Sequence, residues 1–121
     1  RIKNAQYFNK ILKNIDGISI PPNTKNIKNV YWMYTIVVDK KKYGMNAITL
    51  RKKLADKGIE TRSFFIPLHL QPIYYNTLFK NKFPVSEDIF TNAFYIPSSS
   101  HLSKIHKDYI IKVIKNNCRK N

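Results

Sequence analysis

Nine consecutive residues, "VYWMYTIVV" from Val30 to Val38, are all apolar, aromatic or β-branched. Side chains of that kind fit a pleated, half-buried surface, so the run predicts a strand. It is apolar on both of its alternating faces, which predicts a central place in a sheet with cover on each side. The rest of the chain must supply that cover. At Ile2, Ala5, Phe8, Ile11, Leu12 and Ile15 the apolar spacing is three and four, predicting an amphipathic helix over Ile2–Ile15. Gly17 suits its left-handed C-terminal cap, and Pro21 and Pro22 forbid its continuation. "DKKKYG" reads as a polar turn closing the strand, and Asn46 as the N-cap of a helix through Ala47, Leu50, Leu54 and Ala55, stopped by Gly58.

Ile59 to Ile66 is expected as a second strand, ended by Pro67. "IYYNTLFK" predicts a short helix and "PVSEDIFTNAF" another, with Pro84 in the favourable first turn. "YIPSSS" reads as extended, and Ser103 as the cap of a last helix with a core stripe of Ile105, Tyr109, Ile110, Val113 and Ile114. Trp32 and Tyr34 are expected in the core. The order predicts an α/β chain of the α+β two-layer kind: a small, mostly antiparallel sheet covered by helices, with the first and last helices on one face. Residues 1–121 are expected to form a single domain, there being no repeat, Gly/Ser linker or low-complexity stretch.

The formal charge is +15, from 22 Lys and Arg against seven carboxylates. Clustered cations point to nucleic acid. Here they are mostly Lys, scattered, with only four arginines, whereas base reading leans on Arg. Lys, Asn and Ile are over-used together, as an AT-rich coding bias would produce, and the reading favours a solvated surface over nucleic acid. No apolar run approaches the roughly 20 residues of a membrane span, so no membrane association is expected. The chain opens on charged residues without a visible signal peptide, and Arg1 in first place fits a piece of a longer chain. Cys118 is the one cysteine, which excludes an internal disulfide and fits a reducing, cytoplasmic location.

Self-contained chemistry is hard to find. Gly17, Gly44 and Gly58 are too far apart for a phosphate cradle. His69, His101 and His106 lack metal-ligand spacing, so no metal site is expected. Ser98 to Ser100 lack a nucleophile elbow. Glu87 and Asp88 stand in a predicted first helical turn, where they favour the helix dipole over acid–base work.

The motifs "NVYWMYTIVVD", "LADKGIETR" and "FFIPLHLQPIYY", in that order, resemble the C-terminal small domain of DegT/DnrJ/StrS-type pyridoxal-phosphate-dependent sugar-nucleotide aminotransferases, and most of all the GDP-perosamine synthase branch. "FPVSEDIF" and "YIPSSSHLS" resemble the segment before that domain's last helix. Ser63 departs from the family, where many relatives have proline, which touches only local backbone rigidity. The resemblance implies the C-terminal domain of a fold-type I aminotransferase, about a third of an enzyme that moves an amino group, usually from glutamate, to a nucleotide-linked 4-keto-6-deoxy sugar for surface polysaccharide. It implies a missing large domain carrying the Schiff-base lysine and the grip on pyridoxal phosphate, and a homodimer in the full-length protein. No catalytic residue and no bound cofactor are therefore expected in this segment alone. The stretch after "GIETR" would border the substrate cleft. Its expected substrate-binding residues are Arg62, for phosphate oxygens, Phe64, and His69 and Gln71 as hydrogen-bond donors on a loop held by Pro67 and Pro72. On the residues alone Arg62 reads equally as a surface ion pair with Glu60, and His69 as a structural histidine. Two other readings stand beside the enzyme: a basic nucleic-acid-binding module, and a truncated relative kept as an interaction domain.

Overall fold

The computed structural model describes residues 1–74 and 82–119. Among these, the helix α1 (Ile2–Leu12) leads into the strand β1 (Ile18–Ser19), and β2 (Tyr34–Val38) is followed by α2 (Lys40–Tyr43) and α3 (Ala47–Ala55). Then come β3 (Arg62–Ser63), two single-turn 3-10 helices at Leu68–Leu70 and Pro72–Tyr74, α4 (Pro84–Asn92), β4 (Ala93–Ile96) and α5 (Lys104–Asn117). The four strands form one sheet in the order β1-β2-β4-β3, with every pairing antiparallel. This is the mixed helix-and-sheet architecture that the sequence predicts. The helix expected over residues 73–80 lies outside the described residues but for its first two.

Alternation along β2 decides the layers. Tyr34, Ile36 and Val38 are buried while Thr35 and Val37 between them are half-buried. Tyr34 and Ile36 pair with Ile96 and Phe94 of β4. On these four residues pack Phe8 and Leu12 of α1, Leu50 and Leu54 of α3, and Ile110 and Ile114 of α5, all in one core. Each such side chain contributes roughly 1.5–3 kcal/mol on burial. The first and last helices thus share a face, and a polar clasp joins their outer sides. Asp108 accepts from the Tyr7 hydroxyl and from Lys104 Nζ at 2.8 Å. Lys107 Nζ donates to Asn4 Oδ1 at 2.9 Å.

Both predicted N-caps form. Asn46 Oδ1 accepts the Thr49 amide at 2.8 Å, and Ser103 Oγ accepts the His106 amide at 3.2 Å. Gly17 is left-handed as expected, with a φ of 73°, but it does not cap the first helix, which ends at Leu12 with Lys13 as its right-handed C-cap.

The long apolar run is strand over only half its length. Asn29 Oδ1 accepts the Tyr31 amide at 2.8 Å, Tyr31 turns to a φ of 47°, and Arg1 Nη1 takes the Trp32 carbonyl at 2.7 Å. These side chains satisfy backbone groups that a ladder would otherwise have used. Trp32, expected in the core, is 65% exposed, whereas Tyr34 is fully buried as expected. The second predicted strand shrinks to Arg62–Ser63, which pair with Tyr95 and Phe94 of β4.

"DKKKYG" is no plain turn. Asp39 caps the amides of Lys41 and Lys42, one helical turn forms, and Tyr43 swings into the core with its hydroxyl 2.5 Å from the Ile114 carbonyl. In α5, Ile105 and Tyr109 are exposed and Ile111 is buried in their stead. Ile105 and Ile114 are nine residues apart, about two and a half turns, which sets them on opposite sides of the helix.

Candidate functional site

The stretch from Arg62 to Tyr74 leaves the sheet edge and folds back on itself. Pro67 begins the first 3-10 turn, in which the Leu70 amide reaches the Pro67 carbonyl at 3.0 Å, and Gln71 Nε2 donates to the Ile66 carbonyl at 3.3 Å. The loop is then tied to α4. His69, 5% exposed, lies with Nε2 3.0 Å from Glu87 Oε1 and its ring centroid 4.6 Å from that of Phe83. Glu87 Oε1 also accepts the Phe83 amide at 3.2 Å, closing the N-terminus of α4. The Phe83 amide above all, and then the His69 imidazole, hold the Glu87 carboxyl below its ordinary value.

Between loop and helix runs an open groove of about 720 Å³. Phe64, Phe65 and Leu68 form one wall, and Phe83, Ser86 and Ile89 the other. Its lining is mainly apolar, with His69, Gln71 and Ser86 as the polar members. Aromatic contacts extend it across the sheet: Phe64 stacks on Tyr95 at 5.2 Å, and Phe65 on Trp32 at 6.2 Å. Such offset ring pairs are worth about 0.5–1.5 kcal/mol beyond burial.

Three of the four expected site residues, Phe64, His69 and Gln71, come together in this groove. Arg62 stands apart on the exposed edge strand opposite Tyr95, its side chain without a hydrogen bond or ion pair among the described residues, so the pairing with Glu60 is not made there. Phe64 and Phe65 both line the groove, although neighbours on a strand should diverge, because the strand has ended by Phe64. His69 Nε2 and the Gln71 amide are occupied within the protein. Sequence reasoning missed Glu87, which was read as a dipole partner. Eighteen residues separate it from His69, and no local spacing marks the pair.

A lysine that forms a Schiff base needs a desolvated setting to lower its pKa. None of the described lysines is buried; Lys107 alone is half-buried, and it is bonded to Asn4. The described residues therefore hold no lysine suited to a Schiff base with pyridoxal phosphate. Among them there is also no group of three or more His, Cys, Asp or Glu able to hold a metal ion. No described helix is long and apolar enough to cross a membrane.

Known proteins share this architecture. Residues 1–115 match the model of the DegT/DnrJ/EryC1/StrS aminotransferase family. The chain is 33% identical to the GDP-perosamine synthase of Escherichia coli O157:H7 over 103 residues, 84% of this chain and 27% of that protein. With the GDP-perosamine synthase of Vibrio cholerae it shares 31% over 90 residues, 73% of this chain and 24% of the other. The crystal structure of a DegT DnrJ EryC1 StrS aminotransferase from Brucella abortus superposes with a TM-score of 0.83 at 26% identity, covering 98% of this chain and 30% of that one. The chain spans less than a third of each of these relatives. With nearly its whole length matched, the chain belongs to the DegT/DnrJ/EryC1/StrS aminotransferase family.

Proposed function

We propose that this chain is the C-terminal, substrate-side domain of a pyridoxal-phosphate-dependent aminotransferase acting on a nucleotide-linked 4-keto-6-deoxy sugar. The reading goes further to a perosamine-type, guanosine-diphosphate-linked substrate, supported by likeness to two GDP-perosamine synthases. In that enzyme the large domain would carry the lysine and the cofactor, which supplies the electron sink. The protein would work as a cytoplasmic homodimer, and its product would enter surface polysaccharide.

The observation that carries the reading is the aromatic groove with three polar members, together with the exposed Arg62, which no carboxylate engages among the described residues. A deoxysugar has an apolar methyl and ring C–H faces, which suit Phe64 and Phe65, and a few hydroxyls, which suit His69 and Gln71. Arg62 would meet the diphosphate, where a planar guanidinium bonds two oxygens at once. Gln71 gives one Nε2 hydrogen to the Ile66 carbonyl, and would offer the sugar its second hydrogen or its Oε1.

The test is amination by the full-length protein, with glutamate as donor and 4-keto-6-deoxy sugars linked to guanosine, uridine or thymidine diphosphate as acceptors, followed by mass spectrometry. The guanosine-linked acceptor should be converted fastest. Conversion of none of the three would defeat the reading, and preference for another nucleotide would defeat its perosamine part.

A further inference from the structure

Among the described residues two buried side chains are polar, Asn4 and His69, and only His69 lines the groove. Glu87 Oε1 receives two donors, the Phe83 amide and His69 Nε2. Held below its ordinary value by them, the carboxyl is ionised at neutral pH. An ionised carboxylate only accepts, so the hydrogen in the contact with His69 belongs to Nε2. A neutral imidazole has one ring hydrogen, which leaves Nδ1 a bare lone pair. No partner holds Nδ1 among the described residues, and none of their buried side-chain nitrogens or oxygens lacks a partner, so Nδ1 stays within reach of solvent.

We infer that Glu87 is a positioning residue: it fixes His69 as the Nε2–H tautomer, so that Nδ1 accepts a hydrogen bond from a ring hydroxyl of the sugar bound in the groove. This rests on the proposed function and reverses the direction expected from sequence, where His69 donates. Phe64, Phe65, Phe83 and Ile89 provide apolar contact that discriminates little between similar sugars. One fixed acceptor in such a lining discriminates strongly, because a sugar lacking the hydroxyl leaves it unpaired.

Glu87→Gln tests this in the full-length enzyme. The glutamine keeps the shape and an acceptor oxygen, but its amide group also donates, so the ring is no longer bound to one tautomer. An acid-to-amide change next to a serine-protease histidine acts in this way, with geometry intact and the tautomer wrong. In protein labelled with 15N-histidine, wild-type His69 in its neutral form should show the Nε2–H pattern. Glu87→Gln should show a mixture with Nδ1–H. Its kcat/KM for the keto-sugar nucleotide should fall roughly tenfold, the worth of about one hydrogen bond, with the melting temperature nearly unchanged. Wild type should discriminate against the 2-deoxy or the 3-deoxy analogue, and the variant should lose that discrimination. An Nδ1–H wild type overturns the inference, as does a variant with unchanged selectivity or a loss that merely follows its folded fraction. Should the enzyme aminate no keto-sugar nucleotide, the functional reading fails and the hydroxyl partner with it. The tautomer spectrum tells that failure apart from one of Glu87 itself.

Discussion

Gly17 stands at a φ of +73°, and a Cβ there would lie 2.3 Å from the backbone nitrogen of Tyr43. Backbone cannot yield as a side-chain tip would. Gly17→Ala should therefore cost upwards of about 2 kcal/mol, from left-handed strain of roughly 1–2 kcal/mol plus displacement of α2. Gly58 has nearly the same φ but nothing within 4 Å, so Gly58→Ala should cost only the strain, about 1 kcal/mol. Denaturation midpoints of the two variants check this, and equal losses would refute the role given to Tyr43. Arg62 offers the opposite expectation. Being exposed and unpaired among the described residues, it can go without cost to the fold, so Arg62→Ala should leave the melting temperature within a degree or so. In the full-length enzyme the same change should lower kcat/KM by about ten- to a hundredfold, as for a lost charged hydrogen bond. Unaltered kinetics would remove Arg62 from the site. At this scale the sequence made Gly17 legible, since a glycine between a helix and two prolines has few other uses. It hid the tie from His69 to Glu87, because that contact exists only once the loop has folded over α4.

Among elements, α5 depends on a neighbour to finish it. The last four carbonyls of a helix lack partners within it, and Ile114 owns one of these; the buried Tyr43 hydroxyl supplies the missing donor. Tyr43→Phe should cost roughly 1–3 kcal/mol, the penalty for a buried carbonyl left unpaired, and should hasten amide exchange in the last turn of α5 first. Evenly spread exchange would contradict it. The clasp between α1 and α5 answers to acid. Lys104 first, then the Tyr7 hydroxyl, hold the Asp108 carboxyl below its ordinary 3.8. A depressed carboxylate contributes stability above its unfolded value, and the contribution is lost as pH falls through the folded one. Melting temperature should thus drop more steeply below about pH 4 in the wild type than in Asp108→Asn; identical acid limbs would mean that the clasp adds nothing. Clean stripes made helices legible here, as in α1, whose end was nevertheless placed three residues too far on, and the Asn46 cap did so for α3. The strand Val30–Val38 was overread, since its first half is claimed by Arg1 and Asn29, and propensity takes no account of distant side chains.

For the molecule as a whole, the excess of positive charge is left almost unanswered. Among the described residues the ion pairs are His69–Glu87 and Lys104–Asp108, and the other lysines are exposed save the half-buried Lys107. Binding to duplex DNA should accordingly be weak, indifferent to sequence and abolished by about 200 mM salt; retention at that salt in a filter-binding assay would revive the nucleic-acid reading. The two-layer arrangement was legible because an apolar strand and amphipathic helices leave few alternatives. How little of the sheet lies at its borders was not. β1 and β3, at its two edges, are two residues long each, and β3 begins with an arginine. A foreign strand adds to a sheet by reading a row of free amides and carbonyls, and two residues present hardly any row to read. The brevity of these borders therefore protects the chain against cross-β templating, even when a newly made or cleaved copy meets others of its kind at high concentration.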